Sequence, residues 1–314
     1  MKTTRIIALS VLFAMLLSLL TGCGSAPLAD PAPKQTAETT FTPYTVTDML
    51  GREVTFDEPV ERVVAISAAE CEILYAIGAG DLLVARGEYC DYPQEALEVT
   101  AIASGSQTNV EQIIALQPQL IITAKMDQPK EQTEQFEQAG IKVVITDADD
   151  IQEVYTAIEL IGDAVRHEQE ADDLVASMKT AFADITKSAP GEDAKTIYFE
   201  VSPLEYGLWT AGQGSFMNEI AEMIGCKNCF SDVKDWAEIS EEQVIERDPD
   251  YIVTITMYFG EGPTPEEEIM SRTGWDDITA VKNGKILNLS NNELSRPGPR
   301  LMDGAQLLYD FVTE

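Results

Sequence analysis

Tyr89, Tyr206, Trp209 and Trp236 are the aromatic side chains that this sequence places on loops near the ends of apolar, β-branched runs. Rings in such places stack on flat ligands and bury large areas, so their chemistry is recognition rather than bond breaking. Arg86 leaves one of those runs at its carboxyl end, where a guanidinium can grip anionic oxygens. Catalytic equipment is missing from the same inventory. The sequence has no nucleophile elbow, no Walker phosphate loop and no dinucleotide glycine fingerprint. Its single histidine, His167, lies inside a long helical stretch, whereas a bare zinc ion needs several histidines and carboxylates. No catalytic residue, metal ligand or resident cofactor is therefore assigned, and an enzyme is not expected.

A second chemical signal is a phrase that occurs twice. Asn109-Val-Glu111-Gln112 leads to Pro118 and Leu120–Ile122, and Ser240-Glu-Glu242-Gln243 leads in the same register to Pro249 and Tyr251–Val253. Each copy has a capping residue, Glu-Gln on a short helix, a stop before proline and a buried strand. Two such units in matched register predict two similar lobes.

The elements that must carry these residues alternate between strand and helix. Residues 45–48 and 54–56 predict a hairpin. Residues 62–66, 82–85, 120–123 and 142–145 predict buried strands, with Ser67 and Glu70 as a capping box on the helix that Gly78 ends. Residues 195–201, 251–255 and 285–289 repeat the rhythm, with helices at 215–224 and 300–312. Strand, helix, strand in this order gives parallel sheets covered on both faces, with ligands outside the carboxyl ends of the strands. Between the halves, the apolar spacing from Val154 to Ile185 predicts one long helix of roughly 55 Å. The expected fold is thus α/β, with two Rossmann-like lobes (44–150 and 191–314) joined by a single long backbone helix (151–190).

The N-terminus reads as an export signal. Lys2 and Arg5 precede an apolar run of roughly fifteen residues, short of the ~20 that span a bilayer, and Leu20-Thr21-Gly22-Cys23 closes it. This resembles a bacterial lipobox, which implies cleavage after residue 22, lipidation of Cys23 and an extracytoplasmic chain anchored to the outer face of the cell membrane. Residues 23–43, rich in Ala, Pro, Thr and Ser, form a flexible tether. The net charge of −33 makes nucleic acid and anionic lipid poor partners. Four further cysteines are compatible with disulfides outside the cytoplasm. Cys71 and Cys90 each lie five residues past a strand end, so a bridge between them is expected. Cys226 and Cys229 are read as a local disulfide or two thiols.

Six motifs in order (Thr47–Val54, Arg62–Val64, Glu72–Asp81, Glu88–Pro93, Trp275–Lys285 and Arg296–Arg300) resemble the substrate-binding lipoproteins of ABC importers for ferric siderophores, haem and cobalamin. The likeness runs from Tyr44 to the C-terminus. It implies a class III, helical-backbone fold that binds a metal chelate as a monomer between its lobes and passes it to a two-fold permease with its ATPase. It also implies that Glu111 and Glu242 dock on that permease, and that Tyr89, Trp236 and, nearby, Trp209 line the cleft with Arg296. At Gly105 the chain departs from the cobalamin-binding members, which carry tryptophan there. The chelate's identity stays open among siderophore, corrinoid and haem. A sensory lipoprotein that binds the same ligand without transport is the alternative output.

Overall fold

The computed structural model describes residues 41–314 except Gln128, residues 190–193, Phe259, Ser290 and Asn291. The export signal, Cys23 and the tether through residue 40 lie outside the described residues. Two antiparallel strands, β1 (Tyr44–Thr47) and β2 (Glu53–Phe56), open the chain as predicted. The Asp48 carboxylate closes their turn by accepting the Leu50 and Arg52 amides at 3.1 and 2.9 Å.

The first lobe is built on five parallel strands, β3 (Val63–Ala65), β4 (Leu83–Gly87), β5 (Ala101–Ile102), β6 (Leu120–Ala124) and β7 (Lys142–Thr146), in the order β5-β4-β3-β6-β7. β3 and most of β6 are buried on both faces, as continuous apolar runs in a helix-covered sheet must be. Helices α1 (Ala68–Ala76), α2 (Val110–Ala115) and α3 (Lys130–Gln138) connect the strands. The second lobe has β8 (Thr196–Glu200), β10 (Lys227–Asn228), β12 (Tyr251–Thr254) and β13 (Ile286–Asn288), also parallel, in the order β10-β8-β12-β13. Its helices are α6 (Phe216–Met223), α7 (Glu241–Arg247), α8 (Pro265–Ser271), α9 (Thr279–Lys282) and α10 (Leu301–Thr313).

The two sheets share one plan. In each, the chain moves outward from an inner strand (β3 to β4, β8 to β10) and then jumps back to that strand's other side (β6, β12). The repeated phrase supplies the jump both times: α2 leads into β6, and α7 into β12. A two-stranded ribbon of β9 (Trp209–Ala211) and β11 (Trp236–Glu238), which the sequence reading missed, lies beside the second sheet.

The capping box expected at Ser67 does not form. The Ser67 hydroxyl accepts the Ala124 amide of β6 at 2.7 Å, and Glu70 accepts a hydrogen bond from Thr146 at the end of β7. Both side chains serve the sheet edge, because the start of α1 is buried against the carboxyl ends of β6 and β7.

The backbone helix expected over residues 151–190 is corrected in its extent. It is two helices, α4 (Ile151–Val165) and α5 (Glu168–Ser188), separated by Arg166 in the left-handed region and by His167 as N-cap. They pack antiparallel: Lys179 lies 4.8 Å from the Tyr155 ring, and a Cβ on Gly162 would come within 2.5 Å of Ala171 Cβ. The His167 ring holds the turn through the Ile77 carbonyl at 2.9 Å. α4 belongs to the first lobe, where Tyr44 donates to the Ala164 carbonyl at 2.7 Å. α5, about 32 Å long, runs back against α10 of the second lobe. One apolar periodicity served two partners, and the spacing alone could not reveal the reversal.

Gly162→Ala tests this hairpin by its sign. The added methyl collides with Ala171, so urea unfolding should show a loss of roughly 1–3 kcal/mol. A continuous helix would instead gain roughly 1 kcal/mol from the same substitution.

Candidate ligand cleft between the lobes

Each sheet reverses direction between its inner strands, and crevices form outside the carboxyl ends of strands at such points. A cavity of about 430 Å³ occupies this position in the first lobe. Its floor comes from the residues after β6 and β7, with Glu70 of α1, and its far wall from Phe216 and Trp236 of the second lobe with Pro297. A second cavity of about 490 Å³ lies at the ends of β8 and β12, lined by Leu204, Met257 and Tyr258 among several glutamates.

Trp236 is the predicted residue that the cavity places most directly. Its ring packs edge-on against Phe216, with centroids 5.4 Å apart, and its indole N–H donates to Asp149 Oδ1 at 3.2 Å. That bond crosses from one lobe to the other, as does the Phe216 amide to the Asp149 carbonyl at 2.7 Å. Trp209 stands opposite Glu238 in the ribbon and so shares a face with Trp236 in the diagonal position. Trp209 is 40% exposed, Tyr89 59% and Tyr206 75%, so all three offer ring surface to solvent. None of these three lines either cavity. Trp275 is fully buried and donates to Glu241 at 2.9 Å, which makes it a core residue.

The predicted arginines do something else. Arg86 is buried, and it donates to the carbonyls of Ala96 (2.7 Å) and Gly87 (3.1 Å), clamping its own loop instead of facing a ligand. Arg296 donates to Glu72 at 2.8 Å, Asp91 at 2.7 Å and the Tyr89 carbonyl at 2.9 Å. Burial alone would lower its pKa, but Asp91 and Glu72 outweigh that and raise it, so it stays charged. Arg300 is buried: it makes two bonds to Glu72, at 2.9 and 2.6 Å, and its guanidinium covers the Tyr92 ring at 4.2 Å. Glu72, with only 1% of its side chain exposed, thus joins two arginines from the far end of the chain. Sequence reasoning missed it because nothing local marks a helix glutamate whose partners lie more than two hundred residues away.

Gly105 adopts a left-handed φ of +63°. The backbone there suits glycine, and a tryptophan would be strained. Cys71 and Cys90 meet as buried thiols rather than as the expected disulfide. A hydrogen bond with Cys71 raises the Cys90 pKa, and Cys90 Sγ also faces the carbonyls of Ala65 and Ile66 at 3.9 and 3.8 Å. Burial pushes the Cys226 thiol up to about 11 and the Cys229 thiol up to about 12, which leaves neither reactive as a thiolate at neutral pH. Among the described residues no cluster could hold a bare metal ion.

Glu111 and Glu242 are both exposed and both sit at the second position of their short helices. Asn109 caps the first helix through the Gln112 amide at 3.0 Å, and Ser240 caps the second through the Gln243 amide at 3.4 Å. Hydrogen bonds from its own amide and from Ser240 lower the Glu242 pKa.

Residues 63–293 match the family model described as periplasmic binding protein. An uncharacterized ABC transporter substrate-binding lipoprotein of Bacillus subtilis, YvrC, is 32% identical over 94% of this chain and 93% of its own length. The vitamin B12-binding protein of Pectobacterium carotovorum is 27% identical over 81% of this chain and 88% of its own. Among solved structures, an ABC-type Fe3+-hydroxamate transport system protein from Saccharomonospora viridis superposes with a TM-score of 0.73 at 26% identity, covering 86% of this chain and 99% of that one.

Glu72→Gln keeps the side chain's size but leaves two buried guanidiniums without their shared charge. It should cost about 3–5 kcal/mol in urea unfolding. A loss below about 1 kcal/mol would show that the cluster does not hold the C-terminal segment in place.

Proposed function

The chain belongs to the periplasmic binding protein family, and we propose that it is the lipid-anchored substrate-binding component of an ABC importer, carrying a ferric siderophore or corrinoid chelate to the permease. One observation carries the ligand class: the inter-lobe cavity has an aromatic and aliphatic wall of Phe216, Trp236, Met126 and Pro297, with no cluster for a bare ion among the described residues. A metal would enter such a site only inside an organic ligand whose surface suits stacking and apolar contact. The exposed rings of Trp209, Tyr89 and Tyr206 would offer further stacking surface to a ligand that projects from the cavity.

Glu111 and Glu242 are proposed as the permease contacts. They occupy the same position of the same element in two lobes of one plan, so a partner with two-fold symmetry would meet equivalent charges. Export and lipidation at Cys23 would keep the protein at the outer face of the membrane, within reach of that partner.

Tryptophan quenching against ferric hydroxamate and catecholate complexes, cobalamin, cobinamide and haem tests the ligand class. Tight binding of at least one is expected, and Trp236→Ala should weaken it by roughly 2–12-fold, the ~0.5–1.5 kcal/mol of one stacked ring. Failure to bind any of them sinks the chelate assignment. Glu111→Arg and Glu242→Arg should each reduce uptake by cells while leaving affinity in the purified protein unchanged. Weakened affinity would place the glutamates in the cleft, and unchanged uptake would remove them from docking. Cys23→Ser should abolish radiolabelling by palmitate, and persistent label would refute the anchor.

A further inference from the structure

A binding site for a polyanion needs cationic side chains that are still available. Here the arginines are already committed. Among the described residues, Arg86 is bound to carbonyls of its own loop, Arg296 and Arg300 to Glu72, and Arg272 to Glu200 at 2.6 and 2.9 Å. Arg52, Arg62, Arg166 and Arg247 are likewise engaged by carboxylates or carbonyls. Among the described residues Lys125 is the one cation lining the inter-lobe cavity, and Asp147 pairs with it at 2.7 Å.

The carboxyl groups are distributed in the opposite way. Glu70, Asp147 and Asp149 line the inter-lobe cavity against that single lysine. Among the described residues, the cavity at the ends of β8 and β12 is lined by Glu200, Glu205, Glu261 and Glu268 and by no lysine or arginine, although Arg272 behind the wall pairs with Glu200 and Glu268 and leaves the excess to Glu205 and Glu261. Both crevices at which the sheets reverse therefore present excess carboxyl groups. Like charges brought close in such a cleft repel, and because Asp147 and Asp149 remain open to solvent, salt screens that repulsion.

We propose that the cleft selects metal chelates by charge, accepting neutral or cationic complexes such as corrinoids and ferric trihydroxamates and excluding polyanionic ones such as ferric tricatecholates. This rests on the chelate reading above and narrows it. Haem, with two ionised propionates, falls on the excluded side. The acidic wall suits a ligand that brings amide or ammonium donors to it, since carboxylates accept hydrogen bonds and donate none.

The test is equilibrium quenching titration of the purified protein with cyanocobalamin, ferric desferrioxamine, a ferric tricatecholate and haem. At least one of the first two should bind at least ~100-fold more tightly than either of the last two. Raising salt from about 50 to 500 mM should narrow that gap by weakening the repulsion. The double substitution Asp147→Asn with Asp149→Asn should narrow it by ~10-fold, chiefly through gain on the anions. Equal or tighter binding of the tricatecholate or haem, or a gap that salt leaves unchanged, overturns the charge rule while the chelate reading stands. Binding of none of the four overturns both.

Discussion

Glu72 holds together what the rest of the cleft relies on. Its carboxylate is buried on α1 of the first lobe, and its partners, Arg296 and Arg300, arrive from the end of the second. Removing three charges from water is costly, and such a cluster adds little net stability compared with apolar packing. Its value lies in register, because a misplaced segment would leave an unpaired buried charge. With Arg296 fixed, the Tyr89 carbonyl and Asp91 are drawn to the same point, and Ser295 and Pro297 are set along the wall of the cavity.

Much of the scaffold was legible in the sequence because its signals are local. The buried strands announced themselves as β-branched runs, and the repeated phrase at Asn109 and Ser240 pointed to two lobes of similar plan. Where the reading failed, one local pattern had two physical solutions. The stripe from Val154 to Ile185 fits one long helix or two packed ones, and the choice was made by Gly162, whose missing side chain lets Ala171 approach. Ser67 and Glu70 had the spacing of a capping box, yet neighbouring strand ends competed for both side chains.

The candidate site was legible by residue type and only partly by role. Trp236 reached the cavity because a ribbon strand carries it there, and Trp209 follows on the same face. Arg86 and Arg296 had the right positions along the chain, but a guanidinium's partner is decided by distant residues. Ala96, Glu72 and Asp91 claimed them first. An arginine near a cleft is thus informative only once its hydrogen bonds have been traced, and tracing them shows both arginines bound into the frame.

Besides the bonds that Asp149 makes to Trp236 and Phe216 across the cleft, the lobes are connected at two places. The chain leaves the first lobe through the turn into α5, and residues 293–300 come back to it at Glu72 before α10 returns to the second lobe. A body pinned at one point can swivel in any sense, whereas one pinned at two can turn only about the line between them. Gaping of the cleft about that line has first to release Asp149 from Trp236 and Phe216, and any excursion off it has to tear an arginine from its carboxylate.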